Sequence, residues 1–326
     1  FPRIKYEDAI NTYGTDKPDT RFDLNIKILD KELSETEFNV FNNSLKNGGT
    51  IRGLSVPKNE SMTRKFYDKL NEFVRSIGGD GIIPISIDKE LSGIEFEDIK
   101  SPISKFLSVE HVKKIFNIFN SDSDDVILIC AGKKNIVLDC LGQVRNKLAK
   151  DFDLIDDEKL NFLFVTDFPL FEKDLESGNW TAMHHVFSSP NDETIKYLDS
   201  DPSKVIGNLF DLVCNGVELG SGSIRIHDKK TQEKVFSIIG YKDDQIQDRF
   251  GPLLESFDYG APPHGGMGLG IDRLVATFLK ENSIRDVISF PKTQSASDLL
   301  WGAPSLIDED QKKELSIKNI EEEGKN

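Results

Sequence analysis

The sequence predicts an α+β protein, and three features of the chain carry that expectation. Up to about residue 157, apolar stripes at helical spacing alternate with short apolar strands. An acidic, polar stretch from Asp151 to Lys159 then interrupts the pattern. Beyond it the texture changes to glycine-rich strands and turns with helices beside them.

Taken in order, Tyr6, Ile10 and Tyr13 share one helical face, and Gly14 is placed to cap that helix. After the turn Asp16-Lys17-Pro18-Asp19, the alternation of Phe22, Leu24, Ile26 and Ile28 with polar neighbours predicts a half-buried strand. Phe66, Leu70, Phe73 and Val74 form a helical stripe closed by Gly78-Gly79, and Ile82 to Ile87 reads as a buried strand. Ser108 is the expected N-cap of a helix burying Val112, Ile115, Phe116 and Phe119. Val126 to Cys130 gives another strand, and after Gly132 comes a helix with Val137, Leu141, Val144 and Leu148 inward. Phe162 to Val165 is an apolar strand, and the charged tail after Ser305 is expected to fray.

Hydrophobic residues at 37% and charged residues at 30% fit a folded globular chain. No apolar run approaches the ~18 residues that cross a bilayer, and no signal-peptide pattern opens the chain, so a cytoplasmic protein is expected. Cys130, Cys140 and Cys214 lack CxxC spacing, and three cannot all pair within one chain; all are read as reduced packing residues. A formal charge of -15 argues against nucleic acid, because phosphate binding needs Lys and Arg. Composition alone points to a small-molecule enzyme, and any RNA contact must be a local patch.

Three segments could carry chemistry. In Gly266-Met267-Gly268-Leu269-Gly270, glycines at every second strand position leave one face bare, so that a flat ligand can lie on the backbone. Leu274, Val275, Phe278 and Leu279 give the buried stripe of a following helix whose first turn holds Asp272 and Arg273. A guanidinium stacks on aromatic rings, so a bare strand roofed by Arg273 suits a purine; close strand-to-helix packing would use the same glycines. Ile271 stands where a GxGxxG fingerprint needs its last glycine.

Asn215-Gly216 is a hairpin turn, which places Asp211 and Glu218 on adjacent antiparallel strands. Two such carboxylates can hold Mg²⁺ on a nucleotide's phosphates, or simply be surface charges of a solvated hairpin. Arg225 offers a fork for a carboxylate, and a bulge at Gly220-Ser221-Gly222 would return it to the face of Glu218. His184 and His185, as neighbours on a strand, would point to opposite faces, one toward a substrate and one inward, unless either is merely structural. Neither GxSxG nor zinc spacing occurs.

Together these segments resemble the catalytic core of class II aminoacyl-tRNA synthetases of the bacterial aspartyl branch. Gly266 to Arg273 is similar to the family's motif 3, and Phe164 to Pro169, Trp180 to His185, Asp211 to His227, Tyr259 to Gly266 and Ile284 to Ser295 resemble its signature stretches. Arg52 to Pro57 and Ser61 to Phe66 resemble, more loosely, the insertion domain shared with the B subunit of tRNA-dependent amidotransferases. The resemblance implies catalytic core over 1–24 and 158–326 with the insertion domain over 25–157, and an antiparallel class II sheet with flanking helices. It implies an aspartate–tRNA ligase that uses ATP and Mg²⁺ to form aspartyl-adenylate and passes the aspartyl group to tRNA(Asp), or to tRNA(Asn) as well, as a homodimer. His184 and Arg225, with His185 a further candidate, would contact L-aspartate; Glu218 would bind ATP through Mg²⁺ with Asp211 as second ligand; Gly270, Ile271, Asp272 and Arg273 would form the adenine end.

An asparaginyl-type enzyme and a non-catalytic tRNA-binding module are the competing implications. The module reading has no use for Gly266 to Arg273. Ser221 replaces a glycine, Val186 a proline, and Trp301 a small or polar residue of the family pattern. The anticodon-binding barrel and motifs 1 and 2 have no counterpart in these residues, so the chain reads as a C-terminal part, inactive alone.

Overall fold

The computed structural model describes residues 1–174 and 176–318, and the chain forms two compact units, Phe1–Gly270 and Ile271–Asn326. The first opens with β1 (Arg3–Lys5) and α1 (Tyr6–Tyr13). Gly14, at φ 71°, caps α1 by donating its N–H to the Ile10 carbonyl at 3.0 Å. The strand expected over residues 22 to 28 shrinks to β2 (Lys27–Ile28). Leu24 adopts φ 53°, which bends the chain before it can pair. The bend has a cause in Arg145, whose Nη2 donates to the carbonyls of Asp19, Phe22 and Asp23 at 2.8, 2.9 and 2.9 Å.

Next come α2 (Asp30–Leu33), α3 (Asn39–Lys46), β3 (Thr50–Pro57), α4 (Arg64–Ser76), β4 (Ile83–Ile87), β5 (Ile99–Lys100), α5 (Val109–Phe119), β6 (Asp125–Gly132) and α6 (Lys134–Asp151). Their strands form one antiparallel sheet in the order β2-β3-β6-β4-β5. Period-2 alternation along β3 and β6 sends Leu54, Val56, Leu128 and Cys130 to one face, under Leu70 and Val74 of α4 and Val137, Leu141, Val144 and Leu148 of α6. Ile51, Ile127 and Ile129 go to the other face, with Ile85, Ile87, Phe41 and the Val112, Ile115 and Phe116 stripe of α5. Ser108 caps α5 as expected, accepting from the His111 N–H at 3.1 Å.

The second sheet uses β7 (Phe162–Thr166), β10 (Leu209–Cys214), β11 (Val217–Ile224) and β12 (Gly265–Leu269), with β8 (Phe171–Lys173) and β9 (Trp180–Ala182) pairing separately and α7 (Lys229–Ile238) and α8 (Asp243–Asp258) alongside. The order is β1-β7-β10-β11-β12; only β1 and β7 run parallel. Ala9 of α1 packs on Leu163, Val165, Leu209 and Val213, so α1 covers one face of this sheet. The same helix touches α6 almost backbone to backbone. A Cβ on Gly142 would lie 2.8 Å from the Tyr13 carbonyl oxygen.

The second unit contains α9 (Ile271–Leu279) and α10 (Glu309–Glu314). Helix α9 follows the predicted start, but its stripe is not buried: Phe278 is 51% and Leu279 61% exposed, and Ala276 is the buried position. Spacing specifies a helix; burial needs a second apolar layer, which spacing cannot supply. In the tail expected to fray, Asp308 caps α10 by accepting from Gln311 N–H at 2.9 Å, while residues 319–326 lie outside the described ones.

Candidate active site

The β10–β11 hairpin turns through Asn215 at φ 51° and Gly216 at φ 83°, the paired left-handed conformation that suits the twist of two strands. Asp211 therefore lies opposite Ser221, and Val213 opposite Glu218. The register shifts between Leu212 and Val213, so one extra residue, Leu219, stands in β11. The expected bulge exists but precedes Gly220 rather than spanning Gly220-Ser221-Gly222. It puts Glu218, Ser221 and Ser223 on the face of Asp211, while Arg225, the residue expected to return to the face of Glu218, lies just beyond the end of β11. The backbone of the bulge is tied down, with Gly270 N–H donating to the Leu219 carbonyl at 2.8 Å.

Across the next pairing, Gly268 faces Ser221 and Gly266 faces Ser223. A Cβ on either glycine would meet nothing within 4 Å. The bare strip predicted from the alternating glycines is thus on the same sheet face as the two carboxylates. On the opposite face Gly222 has a different job, since a Cβ there would strike the Phe210 ring.

Asp211 is 2% exposed, and its Oδ1 is buried with no hydrogen-bond partner. Burial pushes its carboxyl above the usual range; Ser221 and His184 work against that, and Glu218 and Asp16 add to it. His184 sits beside both, its Nδ1 3.2 Å from Ser221 Oγ and 4.0 Å from Asp211 Oδ1, with its ring 4.7 Å from that of Phe168.

His184 and His185 do part company, but they lie in the bend after β9 rather than on a strand. His185 Nδ1 accepts from Arg225 Nη1 at 2.7 Å and from Phe187 N–H at 3.1 Å. An arginine can only donate, so His185 is neutral with its proton on Nε2. Burial, then the charge of Arg225, hold its pKa below the ordinary value. Arg225 closes the strand by donating its N–H to the His264 carbonyl at 2.9 Å, and its side chain lines a cleft of about 540 Å³ with His185, Phe187, Gln232, Phe257 and His264.

Two participants were not legible beforehand. Lys17 Nζ lies 3.4 Å from Glu218 Oε2, and Asp16 is near enough to act on Asp211. The sequence marks residues 16 to 19 only as a turn, and nothing in its spacing relates position 17 to position 218. Ser221, met first as a departure from a glycine, is the hydroxyl beside His184. Gly270 ends the first unit, while Ile271, Asp272 and Arg273 form the first turn of α9 in the second.

The pattern of the tRNA synthetases class II (D, K and N) matches residues 1–294 of this chain. The chain belongs to that family. Among its relatives, the aspartate–tRNA(Asp/Asn) ligase of Caldanaerobacter subterraneus subsp. tengcongensis is 46% identical over 318 residues, which cover 98% of this chain and 52% of that protein. The aspartate–tRNA ligases of Clostridium perfringens and Staphylococcus saprophyticus are each 44% identical over 98% of this chain and 53% of theirs. The chain spans about half the length of the curated relatives that it matches. Membership of a class II synthetase family accords with the mixed, largely antiparallel sheet and its flanking helices.

Proposed function

We propose that the protein acts as an aspartate–tRNA ligase, with the β10–β11–β12 face as its activation site. The observation that carries the reading is the juxtaposition on one face of two carboxylates, Asp211 and Glu218, with the open strip at Gly266 and Gly268. In the first step a carboxylate oxygen of L-aspartate bonds to the α-phosphorus of ATP, and pyrophosphate leaves. In the second a hydroxyl of the terminal tRNA ribose takes the acyl carbon, and AMP leaves.

The chain's own groups have distinct parts in this. Arg225 presents guanidinium donors to the cleft and pairs with no carboxylate among the described residues, so the side-chain carboxylate of aspartate is its natural partner. His185 holds that guanidinium, and His184 offers a second contact to the amino acid. The bare strip receives the adenosine. Gly270, Ile271, Asp272 and Arg273 are assigned to the adenine end by their match to the family motif.

Mg²⁺ fits the carboxylate pair, since Asp211 Oδ1 is a buried acceptor with nothing to accept. Glu218 and Asp211 would hold it, and when bound it would neutralise phosphate charge. Among the described residues no third His, Cys, Asp or Glu completes a cluster, so the remaining ligands would be phosphate oxygens and water.

Residues 25–157 are proposed as the insertion domain and a homodimer as the working form, in the cytoplasm; among the described residues no helix is long and apolar enough to cross a membrane. The relatives divide between aspartate–tRNA(Asp/Asn) ligases and aspartate–tRNA ligases, which makes charging of tRNA(Asn) a second reading. Charging assays with both tRNAs decide between them. The site assignment is tested by Arg225→Ala in the full-length enzyme: aspartate-dependent adenylate formation should fall by orders of magnitude, and an unchanged kcat/KM for aspartate would sink it.

A further inference from the structure

A second cleft lies away from that face, where α1 meets the β2 edge of the first sheet, and Ile26, Ile28 and Ile118 form its apolar wall. It has a volume of about 640 Å³, and Asn11, Thr12, Lys27, Lys31 and Arg52 line it. Arg52 sits on β3 opposite Ile28 and is only 7% exposed. Its Nε is buried without a hydrogen-bond partner. Asn11, across the cleft on α1, has a side-chain oxygen in the same condition.

A buried guanidinium N–H left without an acceptor is costly, and in an arginine the charge is not relieved by loss of the proton. The pressure on it is visible, because burial pulls Arg52 below its usual pKa and Asp30 only partly restores it. Asp30 makes no hydrogen bond to Arg52 and is turned instead toward the backbone of β3. Its Oδ1 already accepts from Ile51 N–H at 2.6 Å and from Thr50 Oγ1 at 3.0 Å. Glu32 also lines the cleft, so three cations there face two carboxylates and one positive charge is left over. Lys27 is held in place by donating to the Ile118 carbonyl at 2.7 Å, which leaves further ammonium protons for a ligand. In a chain of net charge -15 this is a local reversal of sign.

We propose that this cleft is a phosphate-binding site in which Arg52 is the anchor, Lys31 and Lys27 supply further charge, and the Asn11 amide donates one hydrogen bond once rotated by half a turn. The guanidinium fork matches two phosphate oxygens, and the cleft has room for a phosphate with part of what it is attached to. Its ligand is a phosphate group, either free or part of an RNA backbone. The site is separate from the activation face and does not depend on the function proposed for it.

The test is titration of the 326-residue chain with inorganic phosphate at ionic strength held constant by chloride, following the Arg52 Nε–H resonance and the melting midpoint. A saturable shift of that resonance, with a rise in midpoint absent in chloride, is expected. Arg52→Met should abolish the phosphate-dependent rise. Lys31→Gln, at an exposed position that cannot upset the fold, should weaken binding severalfold. Loss of one charge-assisted contact corresponds to roughly tenfold to a hundredfold in affinity, which sets the scale for Arg52→Lys. A tRNA transcript added in place of phosphate identifies the source: a shift of the same resonance at far lower concentration assigns the site to an RNA phosphate, and no shift assigns it to the free ion. If neither phosphate nor RNA moves the Arg52 resonance saturably, or if folded Arg52→Met keeps the phosphate-dependent rise, the proposal is wrong.

Discussion

At Asp211 a single carboxyl shows what the candidate site costs the fold. Burial raises its pKa, so between the unfolded value near ~3.9 and the higher folded value the native state holds a proton that the unfolded state has lost. Its contribution to stability is therefore full below the unfolded value and disappears as pH rises through the folded one. Asp211→Asn keeps the shape and removes the charge. The variant should melt higher than the parent at pH 7, on the order of 1–3 °C, with the difference vanishing in acid; on the proposed function, a full-length enzyme carrying it should lose adenylate formation. Calorimetric scans from pH 4 to pH 8 would check this, and a lower midpoint at neutral pH would show that Asp211 stabilises the site instead. Ser221 invites a companion measurement. Its hydroxyl lies 3.2 Å from His184 Nδ1, so on the proposed function Ser221→Gly should raise KM for aspartate severalfold through a less well-oriented ring while leaving the fold intact.

Among the elements, the α1–α6 contact does most to join the two sheets. Gly142 lets the backbones approach, and Arg145, fully buried, stacks 4.0 Å over the Phe22 ring and gathers three carbonyls of the 19–23 loop. Burial brings Arg145 down to about 10, still charged at neutral pH. Arg145→Met would leave those carbonyls without their donor at roughly 1–3 kcal/mol each where no water replaces it. A loss of several kcal/mol in urea unfolding is expected, and a loss below about 1 kcal/mol would mean that the loop finds water instead. Gly142→Val should also destabilise, by about 1–3 kcal/mol, because its side chain meets backbone that cannot yield.

On the scale of the whole molecule, the sheet of residues 27 to 132 has its own two cores, which is why residues 25–157 are proposed to fold alone. Excised, that segment should melt cooperatively and give dispersed amide signals. A piece beginning at residue 15 should melt higher still, since it keeps the Asp19, Phe22 and Asp23 carbonyls that Arg145 needs. Equal midpoints for the two pieces would remove Arg145 from the account. For ATP the expectation is weak binding by the 326-residue chain itself. Lys17, the cation beside the two carboxylates, is already paired with Glu218, and each charge-assisted contact that a nucleotide phosphate lacks is worth roughly one to two decades in affinity. Micromolar binding in a calorimetric titration with Mg²⁺ would overturn it.

The sequence by itself determined the local elements and the chemistry they could bear. The Gly14 and Ser108 caps and the Asn215-Gly216 turn are near-neighbour effects, and each appears where it was expected. The alternating glycines likewise announced a bare strand because side-chain direction in a strand is set by the backbone alone. Tertiary structure decided what depends on partners distant in sequence. The alternation at residues 22 to 28 yielded to Arg145, which lies more than a hundred residues later and bends the loop to collect its carbonyls. The stripe on α9 needed a covering layer that periodicity cannot provide, and remained exposed. Lys17 reached Glu218, and the Leu219 bulge rather than the neighbouring glycines set the shared face, because strand register is fixed by pairing across the sheet and not by the run of residues along it.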